Sequence, residues 1–178
     1  MTRPPMTLEQ LNALADSEAR DFFTHCCTSL RWAQGMVSSR PFASHEELLA
    51  KADDCWQPCD RNDILQAFEG HPKIGDINSL KAKYANTSKI AGHEQSGTVG
   101  ADEKVLTALA EGNQRYEERF GYLFIVCATG KSAAEMLALL KERLNNSPDN
   151  ELIIAAAEQQ KITRIRLNKL IGEAVLTP

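Results

Sequence analysis

Residues 101–121 read ADEKVLTALAEGNQRYEERFG, and this stretch decides the fold class. Val105, Leu109, Tyr116 and Phe120 share one side at helical spacing, acidic residues sit in the first turn, and Gly121 can end the helix in a left-handed conformation. Directly after it, YLFIVCA at 122–128 is the one convincing strand-like run. A lone run of this length cannot build a sheet, so it is expected as a buried extended connector or as part of a helix start.

The segments on either side repeat the helical signal. Toward the N-terminus, Thr7 with Gln10 makes a capping box ahead of Leu8, Leu11 and Leu14. A second helix is expected from about Asp16, with Phe23, Cys27 and Leu30 on one apolar side and Phe22 and Cys26 beside them. Arg40-Pro41 breaks that pattern, because the residue before proline is pushed out of the helical region. Ser44 with Glu47 opens the next helix, and Asp60 with Asp63 opens a short one carrying Ile64, Leu65 and Phe68. Toward the C-terminus, Ser132 and Glu135 cap a helix with Leu137, Leu140 and Leu144 inward, and Asn145-Asn146-Ser147-Pro148 stops it. A last helix is expected from about Asn150 to Ile171, roughly 30 Å long, with Ile154, Ala157, Ile162, Ile165 and Leu170 as its apolar stripe. The sum is an all-α chain of seven or eight short helices. It is expected as a single compact domain over 7–174, with 1–6 as a flexible end.

Composition narrows the function. The 178 residues carry 20 Lys+Arg against 24 Asp+Glu, a net charge of −4. No basic stripe exists to neutralise phosphates, so nucleic acid is not an expected partner. No apolar run approaches a membrane span, and the first residues lack a signal-peptide core, which makes the cytoplasm the expected location. The five cysteines are Cys26, Cys27, Cys55, Cys59 and Cys127. Cys55 and Cys59 have no matching Cys or His pair downstream, so reduced thiols on packed helices are expected in place of zinc.

Chemistry has most freedom between Gly70 and Gly100, where glycines and two of the four histidines gather and apolar side chains thin out. In Gly70-His71-Pro72-Lys73-Ile74-Gly75-Asp76 the proline fixes one dihedral and the glycines allow close approach of a ligand. The turn either presents an imidazole for proton transfer or is a surface turn that contains a histidine. Gly92-His93-Glu94-Gln95-Ser96-Gly97 packs an imidazole, a carboxylate and an amide between two glycines. Its carboxylate either orients a histidine or holds ligand N–H groups, or the segment is a polar turn after a helix, and it lacks the second histidine of a zinc protease site. Arg164 and Arg166 on the last helix either fork onto a carboxylate or pair with solvent and acidic side chains. His25 reads as a structural histidine, His45 as the residue after the Ser44 cap. Nothing flanks Cys127 to activate it as a nucleophile.

These motifs, taken in order, resemble one family. The early SRPF (Ser39 to Phe42), the Gly70-His71-Pro72 turn, HEQSG, ADEKVLTALAEGNQRYEERFG, RFGYLFIVCA and the late IRLNKL are similar to the 2-oxo-4-hydroxy-4-carboxy-5-ureidoimidazoline (OHCU) decarboxylases, the last enzymes of the route from urate to (S)-allantoin. The resemblance spans nearly the whole chain. It implies an all-helical, homodimeric carboxy-lyase without metal or organic cofactor, acting on a small anionic ureido-imidazoline. It places the proton-donor histidine on His71, with substrate also held by Pro72. The family's substrate-contacting stretch falls on Ala91, Gly92, His93, Glu94 and Gln95, with Glu94 as its essential carboxylate. The pocket-lining backbone falls on Phe124, Ile125, Val126, Cys127 and Ala128, and the late arginine on Arg166. Ala91 stands where many members have serine, and Leu123 where many have proline. The other readings open to these residues are a related helical enzyme for another ureido acid and a non-catalytic ureide-binding module.

Overall fold

A computed structural model describes residues 6–71, 80 and 99–171. Among them are eight α-helices: α1 Leu8–Ala13, α2 Asp16–Cys26, α3 Leu30–Ser39, α4 His45–Trp56, α5 Arg61–Phe68, α6 Val99–Phe120, α7 Ala133–Arg143 and α8 Pro148–Leu170. The all-α expectation is met. The one extended pairing among the described residues is an isolated bridge between Met6 and Ile171, with the Met6 N–H donating to Leu170 O at 2.9 Å. Met6 belongs to the segment read from sequence as a flexible end. None of the described helices is long and apolar enough to cross a membrane.

Local signals set most helix starts. Thr7 Oγ1 accepts from the Gln10 N–H at 3.1 Å and the Gln10 side chain returns to the Thr7 N–H at 3.0 Å, so α1 opens on a reciprocal box. Ser132 and Glu135 do the same for α7, and Asp60 and Asp63 for α5. Such a cap is worth about 1 kcal/mol, because it satisfies amides that the helix cannot. At α4 only half of the expected box forms: Ser44 Oγ accepts from Glu47 N–H, while the Glu47 carboxylate takes the Ala43 N–H. Gly121, at φ 84°, ends α6 as expected. Residues 122–128 are an extended connector without sheet partners among the described residues.

Three expectations are corrected. The helix from Asp16 does not run on through Leu30. It ends at Cys26, and Ser29 starts a new helix by accepting the Trp32 N–H at 3.3 Å, which leaves Leu30 54% exposed. The last helix starts at Pro148, which needs no amide partner at a first helical position, and Ser147 Oγ accepts from Asn150 N–H. Its buried stripe is also different: Glu151, Ala155, Gln159, Thr163 and Leu167, four residues apart, while Ile154 and Ala157 are exposed. The polar members of that stripe are bonded, Gln159 to Thr163 side chain to side chain at 3.1 Å and Glu151 as described below. In α7, Met136, Leu140 and Arg143 are buried, with Leu137 and Leu144 half-buried.

The residues form two compact units, one from the chain up to Gly70 together with Ala156 onward, the other from His71–Ala155; the division falls inside α8. In the first unit α3 packs on α2, α4 and α5. Phe23 meets the rings of Phe22, Trp32 and Phe42 edge to face at 5.4, 5.8 and 6.3 Å. The Trp32 indole donates to Ala52 O at 2.9 Å, so even the largest core side chain has its polar atom satisfied. Arg40 closes the C-terminal end of α1 by donating to Leu11 O and Leu14 O at 3.0 and 2.7 Å. In the second unit α6 packs on α7, and Tyr116 is enclosed by Phe120, Tyr122 and Phe124.

Candidate active site

His71 follows directly on the end of α5, and that end is pinned. The Gly70 N–H donates to Ala67 O at 3.2 Å, and the Thr28 hydroxyl donates to the same oxygen at 3.2 Å. A Cβ on residue 70 would lie 1.8 Å from Thr28 Oγ1, so only glycine fits against the α2–α3 break. The Leu30 N–H, at the start of α3, donates to the Gln66 side chain at 2.8 Å. Residues 28–30 thus fix where the chain leaves α5, and the half-buried His71 is the next residue along. An imidazole at this point of the chain is a group that can donate or accept a proton near neutral pH.

Arg166 lies in the last turns of α8, and its Nη1 donates to Cys26 O, at the C-terminal end of α2, at 3.2 Å. This uses one of five guanidinium donors and supplies a cation where helix carbonyls concentrate negative charge. Arg164 is committed elsewhere: its Nη1 pairs with Asp53 at 2.8 Å, and Asp53 also accepts from Gln160 at 2.8 Å. His45 Nε2 and Asn168 Oδ1 are 2.6 Å apart, a further tie between α4 and α8. Next to Arg166, burial pushes the Cys27 thiol up from 9.0 to about 11, against the lowering effects of the Ser29 backbone, the Thr163 side chain and Arg166 itself. A thiol so shifted is a packing group rather than a nucleophile at neutral pH.

The 124–128 connector is held from inside the second unit. Arg143, 6% exposed, donates through Nη1 to Ile125 O at 2.6 Å and lies over the Phe124 ring at 4.7 Å. Its Nε bonds Glu151 Oε2 at 2.7 Å, and Glu151 also accepts from the Tyr116 hydroxyl and from Asn146 Nδ2. Burial, with the Glu151 bond next, raises the Tyr116 phenol far above its ordinary value, so it stays a neutral donor. Lys131 closes the connector's far end, its N–H donating to Ala128 O and its Nζ to Cys127 O, both at 3.0 Å. Pro72, Ala91, Gly92, His93, Glu94 and Gln95 lie outside the described residues.

The OHCU decarboxylase family model matches residues 12–168. The chain belongs to the OHCU decarboxylase family. The match runs through both compact units and takes in the His71 turn, the 124–128 connector and Arg166. The chain is 37% identical over 148 residues to the uric acid degradation bifunctional protein TTL of Arabidopsis thaliana, covering 83% of this chain and 46% of that protein. It therefore spans less than half the length of the plant relative. It is 35% identical over 168 residues to the 2-oxo-4-hydroxy-4-carboxy-5-ureidoimidazoline decarboxylase of Mus musculus, covering 94% of each. Among solved structures, a crystal structure of OHCU decarboxylase in the presence of (S)-allantoin superimposes with a TM-score of 0.67 at 37% identity, covering 90% of this chain and 100% of that one.

Sequence reasoning missed two anchors of the candidate segments. Thr28 carried no signal beyond a β-branched residue beside Ser29. Arg143 and Glu151 looked like ordinary helix-end charges, one in a last turn and one in a first. No group of three or more metal-ligating side chains occurs among the described residues. An open depression of about 690 Å³ lies among Arg115, Glu118, Arg119, Lys141, Leu144 and Asn145. None of the candidate site residues lines it, and Arg119 there serves the turn after α7 by donating to Asn146 O at 2.7 Å.

Proposed function

We propose that this chain is a cofactor-independent carboxy-lyase that converts 2-oxo-4-hydroxy-4-carboxy-5-ureidoimidazoline to (S)-allantoin in urate catabolism. The observation that carries the reading is the 37% identity, over the whole of its length, to an OHCU decarboxylase crystallised in the presence of (S)-allantoin.

The substrate supplies its own electron sink. When the bond to its carboxylate breaks, carbon dioxide leaves and the electron pair flows into the adjoining C=N or C=O system of the ring. No pyridoxal, thiamine or metal is needed for that step. The protein must hold the carboxylate out of the ring plane, stabilise charge on the ring heteroatoms and return one proton to one face of the carbon. His71 is the general acid. Glu94 orients the imidazole or the ureido N–H groups, with Pro72 and the Ala91–Gln95 stretch holding the ring. Arg166 attracts the anionic substrate, and the 124–128 backbone supplies amide partners. Residues 7–174 act as one catalytic domain, in a cytoplasmic homodimer.

The test is to generate the unstable intermediate from urate in situ and follow the circular dichroism of the product. (S)-Allantoin appearing faster than the spontaneous racemic background supports the reading, and activity is expected to survive dialysis against chelator. Racemic product at the spontaneous rate overturns it.

A further inference from the structure

The Arg143–Glu151 pair is placed to do more than stabilise the second unit. Arg143 and Glu151 have side chains 7% and 0% exposed, and α7 and α8 carry them to a single point beneath the connector. A buried ion pair is weak evidence for stability, since apolar replacements of similar volume are often neutral or stabilising. What apolar side chains could not reproduce is the bond from Arg143 Nη1 to Ile125 O.

That bond fixes a peptide plane. The Ile125–Val126 peptide is trans, so its carbonyl and the following N–H point in opposite directions. With the carbonyl fastened to the guanidinium, the Val126 N–H is turned away from it, and it has no hydrogen-bond partner among the described residues. The guanidinium face lies over Phe124 at the same time, so ring and peptide are registered by one side chain. Glu151 holds that guanidinium through Nε and Nη2, and Tyr116 and Asn146 in turn hold Glu151.

We propose that Arg143 and Glu151 are positioning residues of the reaction: they lock the Ile125–Val126 peptide so that its N–H is presented to the substrate's acceptor atoms. The inference rests on the reading of 124–128 as pocket backbone. Neither side chain touches substrate, and both act through the connector. Lysine at 143 keeps the charge but lacks the planar fork that serves Glu151, Ile125 and Phe124 together.

The experiment compares wild type, Arg143→Lys, and an apolar triple variant, Tyr116→Phe with Arg143→Met and Glu151→Leu. The measurements are KM and kcat for (S)-allantoin formation, the nuclear magnetic resonance shifts of the Ile125 carbonyl carbon and the Val126 amide nitrogen, and thermal melts. Losing one well-aimed donor corresponds to about a tenfold loss of binding. KM is expected to rise about tenfold in both variants, with kcat changed less and with the Ile125 carbonyl and Val126 amide shifts displaced. If Arg143→Lys fails to fold, the triple variant decides, because it removes the three mutually bonded polar side chains together and leaves no buried charge unpaired. A folded triple variant with wild-type KM, or with unchanged Ile125 carbonyl and Val126 amide shifts, overturns the proposal. If wild type itself yields only racemic product at the spontaneous rate, the decarboxylase reading falls and the role in the reaction falls with it. The Ile125 and Val126 shifts then separately decide whether the anchoring of the peptide is correct.

Discussion

A Cβ added to Gly70 would stand 1.8 Å from Thr28 Oγ1, so the residue before His71 has no room for any side chain. The contact joins the α2–α3 break to the end of α5, and it makes the start of the histidine turn a matter of packing as well as of local sequence.

Gly70→Ala is therefore expected to destabilise the protein by about 1–3 kcal/mol, the usual cost of overpacking, and to lower Tm by several degrees. Thr28→Ala in the same chain removes the oxygen but leaves Thr28 Cβ 3.0 Å from the new methyl, so recovery is expected to be partial. Melts of the single and double variants check this. A Gly70→Ala protein that melts with wild type would show that the turn can shift freely.

His71→Asn keeps a polar side chain in the turn and removes the proton donor. General acid catalysis is typically worth about 10²–10⁴ in rate, and stereospecific turnover is expected to fall by that factor. Glu94→Gln keeps shape without charge and is expected to fall comparably, while His93→Asn and His25→Asn are milder. His25 already has a structural bond, its Nδ1 2.7 Å from Asp21 O. The measurement is the rate of (S)-allantoin appearance above the racemic background, with melts to confirm folding. Turnover of His71→Asn within about threefold of wild type, together with loss in His93→Asn, would reassign the acid.

Arg166→Lys retains a cation near the end of α2 but loses the bidentate fork. Its expected signature is a raised KM for the anionic substrate, with kcat and Tm changed little, because an ammonium can still bond Cys26 O. Steady-state kinetics at two ionic strengths checks it. A variant with unchanged KM and a lower Tm would reduce Arg166 to a helix cap.

Cys27 gives a pH dependence with a definite sign. Its thiol titrates at about 11 in the folded chain against 9.0 in the reference state, chiefly through burial. The unfolded chain loses this proton first, so the stabilisation is complete below about pH 9 and is lost as pH rises to about 11. On the order of 2–3 kcal/mol is at stake across that window. Unfolding free energies at pH 8, 9, 10 and 11 are expected to fall more steeply for wild type than for Cys27→Ala. Parallel curves would place the titrating group elsewhere.

Ala91→Ser introduces the hydroxyl that the family resemblance leads one to expect at this position. A net hydrogen bond is worth about 0.5–1.5 kcal/mol, so the variant is expected to fold normally and to lower KM by at most roughly tenfold. A large loss of activity with intact folding would indicate a differently packed site.

Helix identities and most of their ends were legible from residues three or four apart. The boxes at Thr7/Gln10, Asp60/Asp63 and Ser132/Glu135 and the stop at Gly121 are bonds within one turn of chain, so the order of the letters suffices to read them. The candidate site residues came from motifs in the right order, which carry identity without geometry. Packing decided the rest. Periodicity carried the second helix through Leu30, yet Thr28 and Ser29 turn the chain because the break is stabilised by bonds to Ala67 and Trp32. Apolarity chose Ile154 and Ala157 as the inner face of α8, yet Glu151, Gln159 and Thr163 are buried because each finds a hydrogen-bond partner there. Arg166 reaches Cys26 across 140 positions of chain, and Arg143 reaches Ile125 across 18. Burial of a polar group is favourable only when its partner is present, and a partner that distant in sequence exists only once the helices have packed.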